Sequence, residues 1–281
     1  MNYYLFLMQL FFVLLAIFLT WQALLYYRRM RLYKKLRTAE FPPEWLHTLR
    51  RVPHFNLLSD EAKESLRPKM LYFAMSKEFI CVKCEVTEEM KAVISFFASL
   101  MVMGYEDEEP FEDLDTVLIY PHDVVAGGVH ERGGVFSDGE SLLEGESTPG
   151  TVLLAWSEAR HEAFHHGCTN VIVHELAHLL DFEEYYVEGM PPLSGKERSR
   201  WSEIFFSRYE ELLERAVKGR DWGDYRFIGE YASESEAEFF AVLSERFFQC
   251  PISLKKHFPD LYGELKNFYR LDTAEIFSSL G

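Results

Sequence analysis

T-N-V-I-V-H-E-L-A-H-L-L-D, residues 169 to 181, is the stretch around which the chain is read. Taken as a helix, it opens with Thr169 or Asn170 as its cap. Val171, Ile172, Val173, Leu176, Ala177, Leu179 and Leu180 then cover most of its circumference with apolar side chains. A helix that is apolar nearly all round belongs inside a protein. His174, Glu175 and His178 become polar groups under burial, and the i, i+4 spacing puts both imidazoles on one face, a turn apart. A divalent cation is the partner that satisfies both rings at once.

H-E-x-x-H is the pattern of zinc metallopeptidases, in which two His hold Zn²⁺ and the Glu between them takes a proton from the attacking water. The pattern alone is weak, because His161-Glu162-Ala163-Phe164-His165 matches it thirteen residues upstream. That copy lies in a polar stretch without helical apolar period and with Gly167 behind it, so it is expected to be a loop that holds no metal. A third ligand must come from elsewhere. The position six residues after His178, where an extended pattern carries a third His, is Glu184. The better stretch is 229 to 249, where Ser233 or Ser235 can cap a helix that turns Phe239, Phe240, Val242, Leu243, Phe247 and Phe248 inward. Glu238 sits among those residues, whereas Glu234 and Glu236 fall in a first turn where acids suit the helix dipole. Glu245, two turns further on the same face, is the rival, with Glu238 preferred.

The amino terminus has another character. Residues 3 to 27 carry no charge and are long enough to cross a bilayer as one helix, with Trp21, Tyr26 and Tyr27 at one end. Arg28, Arg29, Arg31, Lys34, Lys35 and Arg37 follow at once. The positive-inside rule then predicts one pass through the inner membrane with the rest of the chain in the cytoplasm. A cleaved signal would carry its basic residues on the other side of the apolar run. The predicted organisation is a transmembrane anchor over 1–27, a basic juxtamembrane linker over 28–41 and one domain over 42–281. The whole chain has a net charge of −16, so the part beyond the basic run is more negative still, which disfavours nucleic acid as a partner.

The domain reads as mixed. Helices are expected over 43–51 and 59–76, the second kinked or interrupted at Pro68, and over a run capped by Thr87 and ended by Gly104. Residues 106–115 read as an acidic loop. Thr116 to Tyr120 and Thr151 to Trp156 read as strands, separated by a section with Gly127, Gly128, Gly133, Gly134 and Gly139 and the segment Ser141 to Gly145. Such strands offer either an edge to an extended peptide or an ordinary core sheet. Beyond Gly189, Pro191 and Pro192, Ser194 and Glu197 form a capping box for a helix to about Lys218.

Cysteine use is sparse. Cys81 and Cys84 form a C-x-x-C within a strand-like alternation, and Cys168 and Cys250 look solitary. A cytoplasmic domain would hold all four as thiols. A redox role for C-x-x-C calls for a surrounding βαβ unit, which the pattern does not suggest.

Three segments, G-T-V-L-L-A-W, N-V-I-V-H-E-L-A-H-L-L-D and E-Y-A-S-E-S-E-A-E-F-F-A-V-L-S-E-R-F-F, resemble the Mlc titration factor A family of zinc peptidases, peptidase family M90. The likeness runs from about residue 45 to the carboxyl end. It implies an α+β zincin-like domain, predominantly helical with a small sheet. It also implies one zinc per chain on His174, His178 and Glu238, Glu175 as catalytic base and Tyr231 as the active-site tyrosine. A peptide or protein would be the substrate. Asp181 is a candidate to orient a ligand. The resemblance gives no counterpart for the His161 to His166 cluster or for an anchor over residues 1–37, and no residue here marks a surface for the family's repressor partner. The competing expectation is a zinc-containing or metal-free protein that sequesters a regulatory partner at the membrane.

Overall fold

The computed structural model describes residues 2–105, 111, 113–121, 150–181, 193, 195–219 and 221–279. Most of the acidic loop, the Gly-rich section, Ser141 to Gly145, Gly189, Pro191, Pro192 and the cap residue Ser194 lie outside them, as does the side chain of Asp181. The chain divides into two compact units, Met1–Glu40 and Phe41–Gly281. The first holds α1 (Asn2–Leu36), whose segment Phe6–Leu36 is long and apolar enough to cross a membrane.

The second unit is mostly helical around a small parallel sheet. It begins with α2 (Pro43–Leu49) and α3 (Pro53–Leu57), each with proline in the first turn, where its missing N–H costs nothing. One helix was expected over 43–51; Pro53 starts a second. α4 (Asp60–Ser76) is capped by Ser59 and continues through Pro68 without interruption. β1 (Glu78–Cys81), α5 (Glu88–Met101), β2 (Thr116–Tyr120) and β3 (Thr151–Ala155) follow, with Thr87 accepting from the Met90 N–H at the start of α5.

The sheet order is β1-β2-β3, both pairs parallel, with Val117 opposite Val152 and Ile119 opposite Leu154. Those four are buried while their neighbours on β2 and β3 are less so, the period of two that buries one face of a strand more deeply than the other. Because β1 and β2 are parallel, the chain between them crosses over through α5. Cys81 therefore closes β1 and Cys84 lies in the turn before α5, so the C-x-x-C does sit in a βαβ unit, contrary to expectation.

α6 (Trp156–Phe164) and α7 (Val171–Asp181) come next, then α8 (Gly195–Lys218) and 3₁₀ turns over Gly223–Arg226 and Tyr231–Ser233. The carboxyl end is α9 (Glu236–Gln249), α10 (Pro251–His257), α11 (Pro259–Tyr269) and α12 (Thr273–Ile276). α6 corrects the expected loop. Trp156 starts a helix instead of ending β3, and the upstream copy of the motif lies on that helix and its terminal residue His165.

α7 is the hub, touching β3, α5, α6 and α9. Its packing with α9 is continuous with an aromatic core, in which Phe239, Phe240, Phe247 and Phe248 of α9 are fully buried with Trp201, Phe205 and Tyr269. Each such ring contributes roughly 1.5–3 kcal/mol by burial, and edge-to-face pairs such as Phe240 with Trp201 and Phe248 with Tyr269 fix how the helices meet.

The cysteines meet in two pairs. Cys81 lies beside Cys84, and Cys168 beside Cys250, with Cα atoms 5.2 Å apart in each pair, within reach of a disulfide bond. The second pairing joins positions that look solitary in the sequence because 82 residues separate them. It brings the approach to α7 against the end of α9.

Candidate metal centre

The first turn of α7 leaves backbone N–H groups without helical partners, and each finds an acceptor. Asn170 is the cap, its Oδ1 accepting from Ile172 and Val173 at 3.1 and 3.2 Å. Val171 N–H donates to Glu162 of α6 at 2.6 Å, and Asn170 N–H to Glu245 of α9 at 2.9 Å. Thr169, the other cap candidate, donates its hydroxyl to Glu162. The upstream Glu162 thus serves the motif helix from outside, while His161 and His165 stack on each other, exposed, with centroids 4.4 Å apart.

With its start fixed, α7 presents His174 and His178 toward α9. Ser235 caps α9 by accepting from the Glu238 N–H at 3.1 Å, which sets Glu238 in the first turn facing them. Nε2 of His174 lies 3.2 Å from Nε2 of His178 and 3.0 Å from Glu238 Oε2; His178 Nε2 lies 3.4 Å from Glu238 Oε1. Among the described residues these three form a group able to hold a metal ion. Tetrahedral zinc with N and O ligands at about 2.0–2.1 Å keeps its ligand atoms roughly 3.3 Å apart, so the spacing and the donor set fit that ion.

Glu245 does not share in this triangle. It is 6% exposed and lies on the opposite side of the His174 ring, Oε1 2.8 Å from Nδ1. Sequence reasoning ranked it as a rival ligand, because an i, i+7 pair shares one helix face. Only the packing separates the two ring nitrogens.

The electrostatics follow from burial and crowding. Burial alone would lower the pKa of His174, but hydrogen bonds to Glu238 and Glu245 and the surrounding carboxylates raise it to about 10. His178 is pushed down to about 4 by burial and then by the charge on His174. Two imidazoles this close accommodate one positive charge. Burial opposes ionisation of Glu238, yet the hydrogen bond from His174 and the nearby imidazoles hold it below the usual carboxylate range. Glu175 is raised to about 7, chiefly by burial, with the His174 charge opposing and Glu238 and Glu245 assisting.

Tyr231, on the 3₁₀ turn before α9, has its ring centroid 5.9 Å from that of His174. Burial and the Glu238 carboxylate, to which it hydrogen-bonds, raise its pKa, so the phenol stays a donor at physiological pH. Arg246 ties this region together, donating to the carbonyls of Phe227, Ile228 and Cys168, and sequence reasoning missed it. A long cation in an otherwise apolar helix face was its visible signal.

The chain is similar to an uncharacterized protein of Synechocystis sp., 31% identical over 247 residues, 85% of this chain and 88% of the relative. It is 30% identical over 234 residues to Mlc titration factor A of Edwardsiella ictaluri, covering 80% and 86%. The protein of that name in Pectobacterium atrosepticum is 31% identical over 228 residues, covering 79% and 83%. The match to the family described as glucose-regulated metallo-peptidase M90 runs over residues 26–270, reaching back past residue 45 into the basic run. With that match taking in α7, α9 and every side chain of the triangle, the chain belongs to the glucose-regulated metallo-peptidase M90 family.

Proposed function

We propose that the chain is a membrane-anchored, zinc-dependent peptidase with a zincin-like domain, in which His174, His178 and Glu238 hold the ion and Glu175 is the general base. The observation carrying this reading is the convergence of three side chains, the two Nε2 atoms 3.2 Å apart and the two Glu238 oxygens at 3.0 and 3.4 Å from them, with Glu175 on the same helix turn. Zinc supplies a Lewis acid and a water of lowered pKa. Glu175 takes the proton from the attacking water and delivers it to the leaving amine. Tyr231 donates its phenolic hydrogen to the oxyanion developing on the scissile carbonyl. Among the described residues β3 is an edge of the sheet and packs against α7, which favours an extended peptide or protein substrate lying beside the ion.

In this reading residues 3–27 cross the inner membrane, 28–41 lie against its headgroups and 42–281 work in the cytoplasm. The apolar length of α1 and the basic residues behind it support that placement. The relatives' name supports a second reading, in which the domain binds and sequesters a regulatory protein without needing turnover.

Glu175→Gln separates the two readings. The variant is expected to keep one zinc per chain and to lose roughly 10²–10⁴-fold in peptide hydrolysis. Undiminished turnover would remove the mechanism, and an inactive wild-type chain that still captures a partner would favour sequestration.

A further inference from the structure

The mechanism leaves the buried carboxylate of Glu245 unused. Glu245 points at the ring of His174 from the side away from Glu238 and His178, with its Oε1 2.8 Å from Nδ1 and its Oε2 2.9 Å from the backbone N of Asn170. Arg246 Nη1 stands 3.7 Å from Oε2. His174 itself is 7% exposed, and its Nδ1 contact with Glu245 is buried.

We infer that Glu245 is the positioning residue of the metal centre: it accepts the Nδ1–H of His174, fixes that tautomer and thereby leaves the Nε2 lone pair to the ion. The inference rests on the metal reading above. Its physical content is that an imidazole has two possible protonation sites, and a wrong tautomer presents N–H where a lone pair is needed. A carboxylate on the far nitrogen removes that ambiguity and makes the ligand more basic. The same carboxylate holds the N–H of Asn170, the cap of α7, so the ring and the start of its helix are registered on one group of α9.

Glu238 and Glu245 therefore divide the work. Seven residues apart on one helix, they contact opposite nitrogens of a single ring. The rival ligand of the sequence becomes the group that aims the ligand.

The test uses the full-length, detergent-solubilised chain labelled with ¹⁵N-histidine, loaded with zinc and titrated against a chelator of known affinity. In the wild type, His174 Nδ1–H should give a downfield, slowly exchanging proton signal. Glu245→Ala should lose that signal and bind zinc about 10–100-fold more weakly while still holding one ion per chain. Glu245→Gln, whose side-chain carbonyl accepts the same proton, should keep the signal, moved upfield, with a smaller loss of affinity. A purely structural role would lower the melting temperature of these variants without moving the ring proton or the affinity of the folded protein, and that result would overturn the inference. Loss of the ion in Glu245→Ala with retention in Glu238→Ala would overturn it too, by making Glu245 a ligand. Should the alanine variant not fold, an unmoved signal and affinity in Glu245→Gln would do the same. A wild type that holds no zinc defeats the metal reading and this one together; a wild type that binds it while Glu245→Ala binds it as tightly defeats this one alone.

Discussion

His54 is a buried imidazole outside the metal centre, with Nε2 3.1 Å from the Phe248 carbonyl and Nδ1 without a hydrogen-bond partner. Burial, against the bond to Phe248, lowers its pKa from 6.5 to about 4. Below 6.5 the unfolded chain takes up a proton that the folded chain refuses, so stability falls as pH drops from 6.5 towards 4 and is retained above that window. The shift corresponds to about 3 kcal/mol. His54→Leu should flatten the fall in urea midpoint between pH 7 and pH 4.5 while lowering the midpoint at pH 7 through the lost bond to Phe248; an unchanged slope would show that other groups carry the acid sensitivity. At this scale the sequence was informative about His174, Glu175 and His178, because their spacing on one helix is a local property. It preferred Glu238 to Glu245 without excluding the rival, because both satisfy the same helical periodicity and differ only in which ring nitrogen they meet.

α7 shows how an element is held in place by its neighbours. Its opening N–H groups are taken by Asn170, by Glu162 of α6 and by Glu245 of α9. Carboxylates there also suit the positive end of the helix dipole. Asn170→Ala removes a cap that serves two donors and should cost about 1–2 kcal/mol in a urea titration. At the other end of the core, Gly104 lies where the chain leaves α5 and meets the end of α11. A Cβ there would stand 2.4 Å from the Tyr269 carbonyl oxygen and 2.6 Å from that of Arg270. Both are backbone atoms that move only with their helix, so Gly104→Ala should cost about 1–3 kcal/mol by overpacking, and an unchanged melting temperature would show that the helix yields. α6 was misread as a loop because it is short and polar and its start is set by tertiary packing, not by its own period.

At the scale of the molecule, the two compact units correspond to two solvents in the proposed reading, lipid for α1 and water for the rest. Compartment then decides the state of the cysteines. A cytoplasmic domain is kept reduced, whereas an exported one would keep Cys168 bonded to Cys250. A reporter fused after Gly281 should be active only on the cytoplasmic side, and a maleimide added to denatured protein from cells lysed under acid should label all four cysteines. A periplasmic reporter signal with two or more cysteines protected would reverse the orientation.

The sequence by itself determined that α7 is a buried helix carrying two imidazoles and a carboxylate on one side, that α9 is aromatic with an acid at its start, and that residues 3–27 are apolar enough to span a bilayer. These are properties of neighbouring residues, written in periodicity and composition. Tertiary structure alone decided that Glu238 closes the triangle while Glu245 holds the far side of His174, that Glu162 caps the motif helix, that the C-x-x-C lies in a βαβ unit and that Cys168 meets Cys250. Each of these depends on elements brought together by packing and strand pairing, where hydrogen-bond geometry chooses between candidates that local periodicity does not separate.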